Sequence, residues 1–205
     1  MPADTLSAKG RQTRRAIEQA ARRRFAERGF HGTTLADITA AAGKSPAVFY
    51  RYFDDKEDLL AALAESFLHN VLTPSRLSVQ LPQSPHDTRF FDAVVTGYWN
   101  IFKQNIGIMV AVAQLGATQQ RFAAVQNEFR RFGMNIVTAS VLRAQEQGYG
   151  RDLQPQYVAA AIALLFEQFT TVFLRPDAAG LGLQINDEDA VATLSTIWKK
   201  TLYGF

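Results

Sequence analysis

Residues 33–56 read TTLADITAAAGKSPAVFYRYFDDK, and their punctuation decides the fold. Thr34 is suited to cap a helix, and Asp37, three residues on, completes the pattern of a capping box. The helix predicted from Thr34 runs to Ala42 and stops at Gly43, which tolerates the left-handed conformation that ends helices. Two residues later Ser45 can cap and Pro46 fits a first helical position, where a missing N–H costs nothing. This second helix is short and ends near Phe53. Asp55 then caps a longer one from Lys56 to about Leu72. A helix of eight or nine residues, a glycine turn and a second short helix over residues 34–53 is helix-turn-helix arithmetic. In that motif the second helix enters the major groove while the first crosses the backbone.

The exposed face of the second helix and its turn should then offer groups suited to nucleic acid. Lys44, Ser45, Ala47, Val48, Tyr50, Arg51 and Tyr52 meet that requirement. Tyrosine hydroxyls donate to phosphate while the rings pack on sugar. Arg51 suits either a guanine edge or a phosphate. Thr34 and Lys56, each at a helix N-terminus, would bracket a backbone segment. Phe49 and Phe53 lie on the opposite side and should anchor the helix to Phe25, Ile38 and Leu59. A tyrosine or phenylalanine on a short helix is, singly, more often core than contact. It is the combination, beneath a basic first helix, that points to duplex DNA.

That first helix is expected over about Arg11–Arg28, after a frayed tail at 1–9. Ile17, Ala20, Ala21 and Phe25 recur at helical spacing, and Gly29 stands at its end. Residues 1–53 carry ten Lys+Arg against four Asp+Glu, whereas 54–205 carry twelve against fifteen. A basic head on a mildly acidic body suits a polyanionic partner for the head, or else is a solvated basic face. With 47% apolar and 20% charged residues among 205, the composition is that of a globular chain able to bury a core. Cysteine is absent, which removes disulfides, thiol nucleophiles and cysteine-containing zinc sites. No uninterrupted apolar run reaches the roughly 18 residues of a membrane span, and no apolar segment follows the N-terminus, so no membrane role and a cytoplasmic location are expected. His31, His69 and His86 lack metal-ligand spacing, and no nucleophile elbow or phosphate loop is present, so no catalytic residues, metal site or cofactor is expected.

Residues 14–60 resemble the N-terminal domain of the TetR family of bacterial transcriptional regulators. The match runs from Phe25-Ala26-Glu27-Arg28-Gly29-Phe30 through Thr33-Thr34, Asp37-Ile38, Ala42-Gly43, Ser45, Phe49-Tyr50, Tyr52-Phe53 and Lys56-Glu57 to Leu59-Leu60. The resemblance implies an all-α fold. A helix-turn-helix DNA-binding domain at 11–71 precedes a larger helical ligand-binding and dimerisation domain at 72–205. It implies phosphate contacts for Thr34, Tyr50 and Lys56, and recognition-helix positions for Ser45, Ala47, Val48, Arg51 and Tyr52. Lys44 departs from the small apolar residue usual after the turn glycine, and either adds a phosphate contact or loosens the turn. Thr39 replaces the usual alanine. The function implied is a homodimeric repressor of a palindromic double-stranded operator, released by a small hydrophobic organic ligand. The alternatives are an activator or protein-responsive member of the same family, or a helical enzyme.

Further along, helices are expected at 87–104, 106–115, 119–147, 155–174 and 186–202, with a possible kink at Gly133, a loop containing Pro74, Pro82 and Pro85, and another at 175–185. Helix 155–174 is apolar around its circumference, which a surface helix of a monomer should not be. Helix 186–202 presents Val191, Leu194, Ile197, Trp198 and Leu202. Both suit a dimer interface. A pocket in the body would draw polar groups from Asn100, Gln114, Gln126, Asn135, Glu167 and Gln168, and aromatic walls from Trp99, Phe102, Phe122, Phe129 and Phe169, unless these are plain core or interface residues. Glu167, the only charge in its helix, is either a ligand anchor or a satisfied interface group.

Overall fold

A computed structural model describes residues 6–72, 80–174 and 182–204. They form eight helices and no strand: α1 (Ala8–Arg28), α2 (Leu35–Ala41), α3 (Pro46–Phe49), α4 (Lys56–Leu72), α5 (Arg89–Gly116), α6 (Gln120–Glu146), α7 (Pro155–Phe173) and α8 (Asp187–Tyr203). The predicted all-α class is observed, and most boundaries follow from the predicted caps. Asp58 N–H donates to Asp55 Oδ1 at 2.6 Å at the start of α4, and Asp189 N–H donates to Asn186 Oδ1 at 2.8 Å at the start of α8. Helix α1 begins earlier than the predicted Arg11, because Ser7 accepts from Gly10 N–H and adds a turn. Pro74 and most of the 175–185 loop lie outside the described residues.

The chain forms two compact units. The first comprises residues 1–71 and 105–126, the second 72–104 and 127–205. This partition differs from the expected boundary at 71–72, because 105–126 packs with the N-terminal helices. Helix α5 changes unit at Asn105, whose φ of −124° and ψ of 15° interrupt the helix where a break between 104 and 106 was predicted. Gly107 explains the close packing beyond it. A Cβ there would lie 2.5 Å from the Ala26 nitrogen and 2.8 Å from the Phe25 carbonyl oxygen, so the backbone approach excludes any side chain. Helix α6 runs through Gly133 without the possible kink.

In the first unit Ile17, Phe25, Ile38, Phe49, Phe53 and Leu59 share one core, which also takes in Ile108, Val112 and Phe122. In the second, Trp198 is nearly sealed. Its ring lies 5.3–5.9 Å from those of Phe90, Phe91 and Phe166, and its indole N–H donates to Ser140 Oγ. Leu194 and Leu202 join it in this core. They, with Trp198, therefore do not form an outward face with Ile197, as expected. A residue one position from Trp198 is turned about 100° around the helix, and Ile197 is 40% exposed while Trp198 is 1%.

Helix α7 holds no uninterrupted apolar run of a membrane span's length, as expected, yet passes on average composition. An 18-residue window of its 19 residues has a mean hydropathy of 1.3, enough by length and composition alone to cross a membrane, as core helices of globular proteins also are. An average tolerates the polar Glu167 and Gln168 that break an uninterrupted run.

Candidate nucleic-acid interface and candidate ligand site

The helix-turn-helix is held from both ends. Thr34 is the N-cap of α2. Its hydroxyl accepts from Asp37 N–H at 3.1 Å and donates to Asp37 Oδ2, which also accepts from Thr34 N–H at 2.9 Å. These hydrogen bonds, side chain first, hold the Asp37 carboxyl below its ordinary range. At the other end of α2 the turn closes through two backbone bonds, Gly43 N–H to Ala40 O and Lys44 N–H to Thr39 O, with Gly43 at φ 63°. This is the Schellman arrangement. Lys44 thus leaves the turn intact and projects an exposed side chain. Thr39 is buried and its hydroxyl donates to Ala36 O.

Ser45 caps α3, accepting from Val48 N–H, and Pro46 occupies the first turn. Only Pro46–Phe49 is α-helical, and the chain continues to Tyr52 in turns, so the second helix is shorter than predicted. Phe49 is fully buried and Phe53 nearly so. With that side locked into the core, Lys44, Ser45, Ala47, Tyr50 and Arg51 are exposed and Val48 is half-buried. Neither Lys44 nor Arg51 has an acidic partner among the described residues.

One expected contact needs correction, and another is partly engaged within the protein. Tyr52 is not on the exposed face: it is 8% exposed and belongs to the core with Phe49 and Phe53. It stands three residues after Phe49, which returns it to the buried side, whereas Tyr50, 59% exposed, is turned away. Lys56 is half-buried and already engaged. Its ammonium donates to Phe30 O and to Thr33 O, both at 2.7 Å, and lies 4.2 Å from the Phe30 ring centroid. Burial lowers its pKa. Two of its three N–H donors thus brace the α1–α2 loop, and one is left for any outside acceptor. Thr33, absent from the predicted set, braces the same loop from inside through its hydroxyl to Gly29 O and Arg24 O. Its threonine type gave no signal, since only the tertiary position tells it from Thr34.

The predicted pocket residues separate. Gln114, Phe122 and Gln126 belong to the first unit, where Phe122 is core. Asn100, Gln114, Asn135 and Gln168 are exposed. Asn100 and Gln168 each adjoin a buried or half-buried aromatic residue in sequence, and the turn of the helix carries them outward. In the second unit, Phe102 and Phe129 come together at 5.5 Å, joined by Tyr98 and Phe166, which were not predicted. Trp99 and Phe169 form a separate pair 6.2 Å apart. Trp99 donates its indole N–H to Asp187 Oδ1 at 3.0 Å, so it is a strut between α5 and α8.

Glu167 is satisfied. Its two carboxylate oxygens accept from Arg130 Nε and Nη2 at 2.6 and 2.7 Å, a bidentate pair between α6 and α7. Beside it, the Tyr98 hydroxyl lies 3.1 Å from Thr170 Oγ1, and burial pushes its pKa far above the ordinary range. Arg130 was missed because nothing in the order Glu128-Phe129-Arg130-Arg131 distinguishes the arginine that turns inward from its exposed neighbour Arg131. No cluster of three or more metal-ligating side chains occurs among the described residues.

Comparison with known proteins accords with this arrangement. A family model described as bacterial regulatory proteins, tetR family, matches residues 17–63. The HTH-type transcriptional repressor KstR2 of Rhodococcus jostii (strain RHA1) is 30% identical over an alignment of 148 residues that covers 68% of this chain and 70% of that protein. A tetR-family regulatory protein from Rhodococcus RHA1 superposes with a TM-score of 0.69 at 22% identity, covering 94% of this chain and 97% of the other. FadR of Bacillus subtilis, solved in complex with stearoyl-CoA, superposes with a TM-score of 0.64 at 18% identity, covering 93% and 98%. A basic head carrying a capped helix-turn-helix, matched in sequence and in fold, identifies the chain as a member of the TetR family of DNA-binding transcriptional regulators.

Proposed function

We propose that the protein is a cytoplasmic repressor that binds a palindromic operator as a homodimer and leaves it when a small amphipathic ligand occupies the body. The observation that carries the reading is the exposed row Lys44, Ser45, Ala47, Tyr50 and Arg51, presented by a helix whose other side is locked by Phe49 and Phe53. Arg51 is assigned to a base edge or phosphate, and Tyr50, Lys44 and Ser45 to the backbone. Thr34 is assigned to phosphate at the start of α2, with Lys56 contributing through its one remaining donor. Functionally, residues 11–71 are assigned to DNA and 72–205 to ligand and partner.

Dimerisation is supported by an apolar stripe on α7, where Tyr157, Leu164 and Leu165 are 78%, 50% and 40% exposed. Ile197 adds to the exposed apolar surface on α8. A two-fold dimer presents its recognition helices roughly 34–36 Å apart, or a multiple, which matches a palindrome. For the ligand, the aromatic group Tyr98, Phe102, Phe129 and Phe166 beside the Arg130–Glu167 pair offers apolar walls with a few oriented polar groups, the usual composition of a small-molecule site. The same fold in Bacillus subtilis FadR accommodates stearoyl-CoA. Repression by the relative KstR2 supports the direction of control.

The test is selection of a site from random-sequence duplexes, followed by titration with Arg51→Ala. That variant should bind the selected site about 1–3 kcal/mol more weakly and lose preference at one base pair. Unchanged preference removes Arg51 from base reading, and failure of the unaltered protein to select any duplex removes the operator reading. Release of the preformed complex by long-chain amphipathic compounds, lost when Phe129 is replaced, tests the ligand half. A ligand that binds without altering operator affinity overturns it, because only differential affinity for the two states shifts the equilibrium.

A further inference from the structure

The basic charge of the head is not where the helix-turn-helix is. Residues 34–53 contain Lys44 and Arg51 against Asp37, whereas α1 alone carries eight Lys+Arg against Glu18 and Glu27. Half of the α1 cations are paired with side chains of the first unit. Arg14 pairs with Glu18 at 2.9 Å, Arg24 with Glu27 at 2.8 Å and Arg28 with Asp37 at 3.4 Å, while Arg22 donates to Asn105 Oδ1 at 2.8 Å. Lys9, Arg11, Arg15 and Arg23 are exposed and have no acidic partner among the described residues, with one Arg11 N–H donated to the Leu6 carbonyl oxygen and its other donors left for an outside acceptor. Three of these four fall in the first two turns of α1.

Those turns also have a defined place. The Arg14 guanidinium stacks 5.1 Å from the Phe53 ring, at the end of the segment that carries Tyr50 and Arg51. The N-terminal half of α1 is thereby fastened beside the recognition segment. On its outer side, Arg11, Gln12, Arg15 and Gln19 line a shallow depression with Ala8 and Ala16. The lining is cationic and amide, with no large apolar side chain, so it suits the phosphates and sugars of a nucleic-acid backbone and lacks the apolar anchor that membrane insertion would require.

We infer that the first two turns of α1 form a second DNA-contacting strip, in which Lys9, Arg11 and Arg15 grip the duplex backbone flanking the bases reached from α3. The inference rests on the operator-binding reading and adds to it. The strip supplies affinity without sequence information, since phosphate contacts carry none. Most of the salt dependence of binding then belongs to α1, while site preference belongs to Arg51 and its neighbours.

The experiment compares the unaltered protein with the triple variant Lys9→Gln, Arg11→Gln, Arg15→Gln, and with a charge-matched control on the body, Arg151→Gln, Lys199→Gln, Lys200→Gln. Affinities for the selected site and for random-sequence duplex are measured across a salt series. Each lost phosphate contact flattens the slope of log K against log salt by about 0.9, so the triple variant should lose about 2–3 per protomer and the control none. Preference for the selected site over random duplex should stay within about twofold in the triple variant, and hydroxyl-radical protection outside the recognition bases should disappear. A slope like that of the unaltered protein, or equal losses in triple variant and control, overturns the strip while leaving operator binding in place. If the unaltered protein binds no duplex, the operator reading itself fails, and the strip with it.

Discussion

The ammonium of Lys56 lies 2.7 Å from the Thr33 carbonyl oxygen, so the residue that opens α4 also closes the loop between α1 and α2. Lys56 is therefore a brace of the head before it is a contact of the DNA. Replacing it with methionine removes the cation over the Phe30 ring and two hydrogen bonds from a charged donor. The expected cost is about 1.5–3 kcal/mol per bond at most, discounted toward the low end because Lys56 is only half-buried. Thermal unfolding should show a lowered midpoint together with weakened binding to every duplex. Weakened binding at unchanged stability would show that Lys56 acts on phosphate alone.

Tyr50 and Tyr52, two residues apart, should behave oppositely. Tyr52→Ala empties a buried site and should destabilise the head by about 3–5 kcal/mol, as large aromatic truncations do. Tyr50→Phe removes an exposed hydroxyl and should leave the unfolding midpoint within about 0.5 kcal/mol while weakening DNA binding. Denaturant unfolding and DNA titration of both variants check the pair.

The capping box gives the head an acid limit. The hydrogen bonds from Thr34 place the folded pKa of Asp37 below its ordinary 3.8. A depressed carboxyl pKa contributes stability that is fully present above the unfolded value and is lost as pH falls through the folded one. Asp37 should thus support α2 at neutral pH and release it only below pH 3.8. In Thr34→Ala the Asp37 titration should move up toward the ordinary value, as followed by carboxyl chemical shifts in an NMR titration.

Gly107→Ala should be costly although alanine is the better helix former. Its Cβ would meet backbone atoms of Phe25 and Ala26, which cannot yield as a side chain does. Overpacking of this kind costs about 1–3 kcal/mol, against a gain of up to about 1 kcal/mol from helix propensity. Gly133→Ala, with open space around its Cβ position, should be neutral or stabilising. Unfolding midpoints of the two variants should move apart.

Arg130→Met should break the bidentate pair and take the guanidinium from Glu167, whose side chain is 17% exposed. A loss of about 1–3 kcal/mol is expected, the range for losing hydrogen bonds between charged groups. Glu167→Gln in the Arg130→Met background should recover part of that loss, and a double-mutant cycle of unfolding free energies measures it.

Local chemistry made the helix-turn-helix legible in the amino-acid order. Thr34, Gly43, Ser45-Pro46 and Asp55 act on backbone within a few residues of themselves, so their caps and turns could be read without the rest of the chain. The break at Asn105 and the apolar character of α7 were legible for the same reason, as patterns along one segment. What only the tertiary structure decided were the questions of which side faces in and who is already engaged. Tyr52 and Tyr50 share a residue type and differ by about 200° of helical turn. Lys56 and Lys44 are both lysines beside a helix start, yet only Lys56 has the Phe30 and Thr33 carbonyls within reach. Glu167 stood out as the single charge of an apolar helix, but its partner Arg130 is 37 residues away. Contacts across such separations depend on how helices pack, and packing is a property of the folded chain that no local spacing encodes.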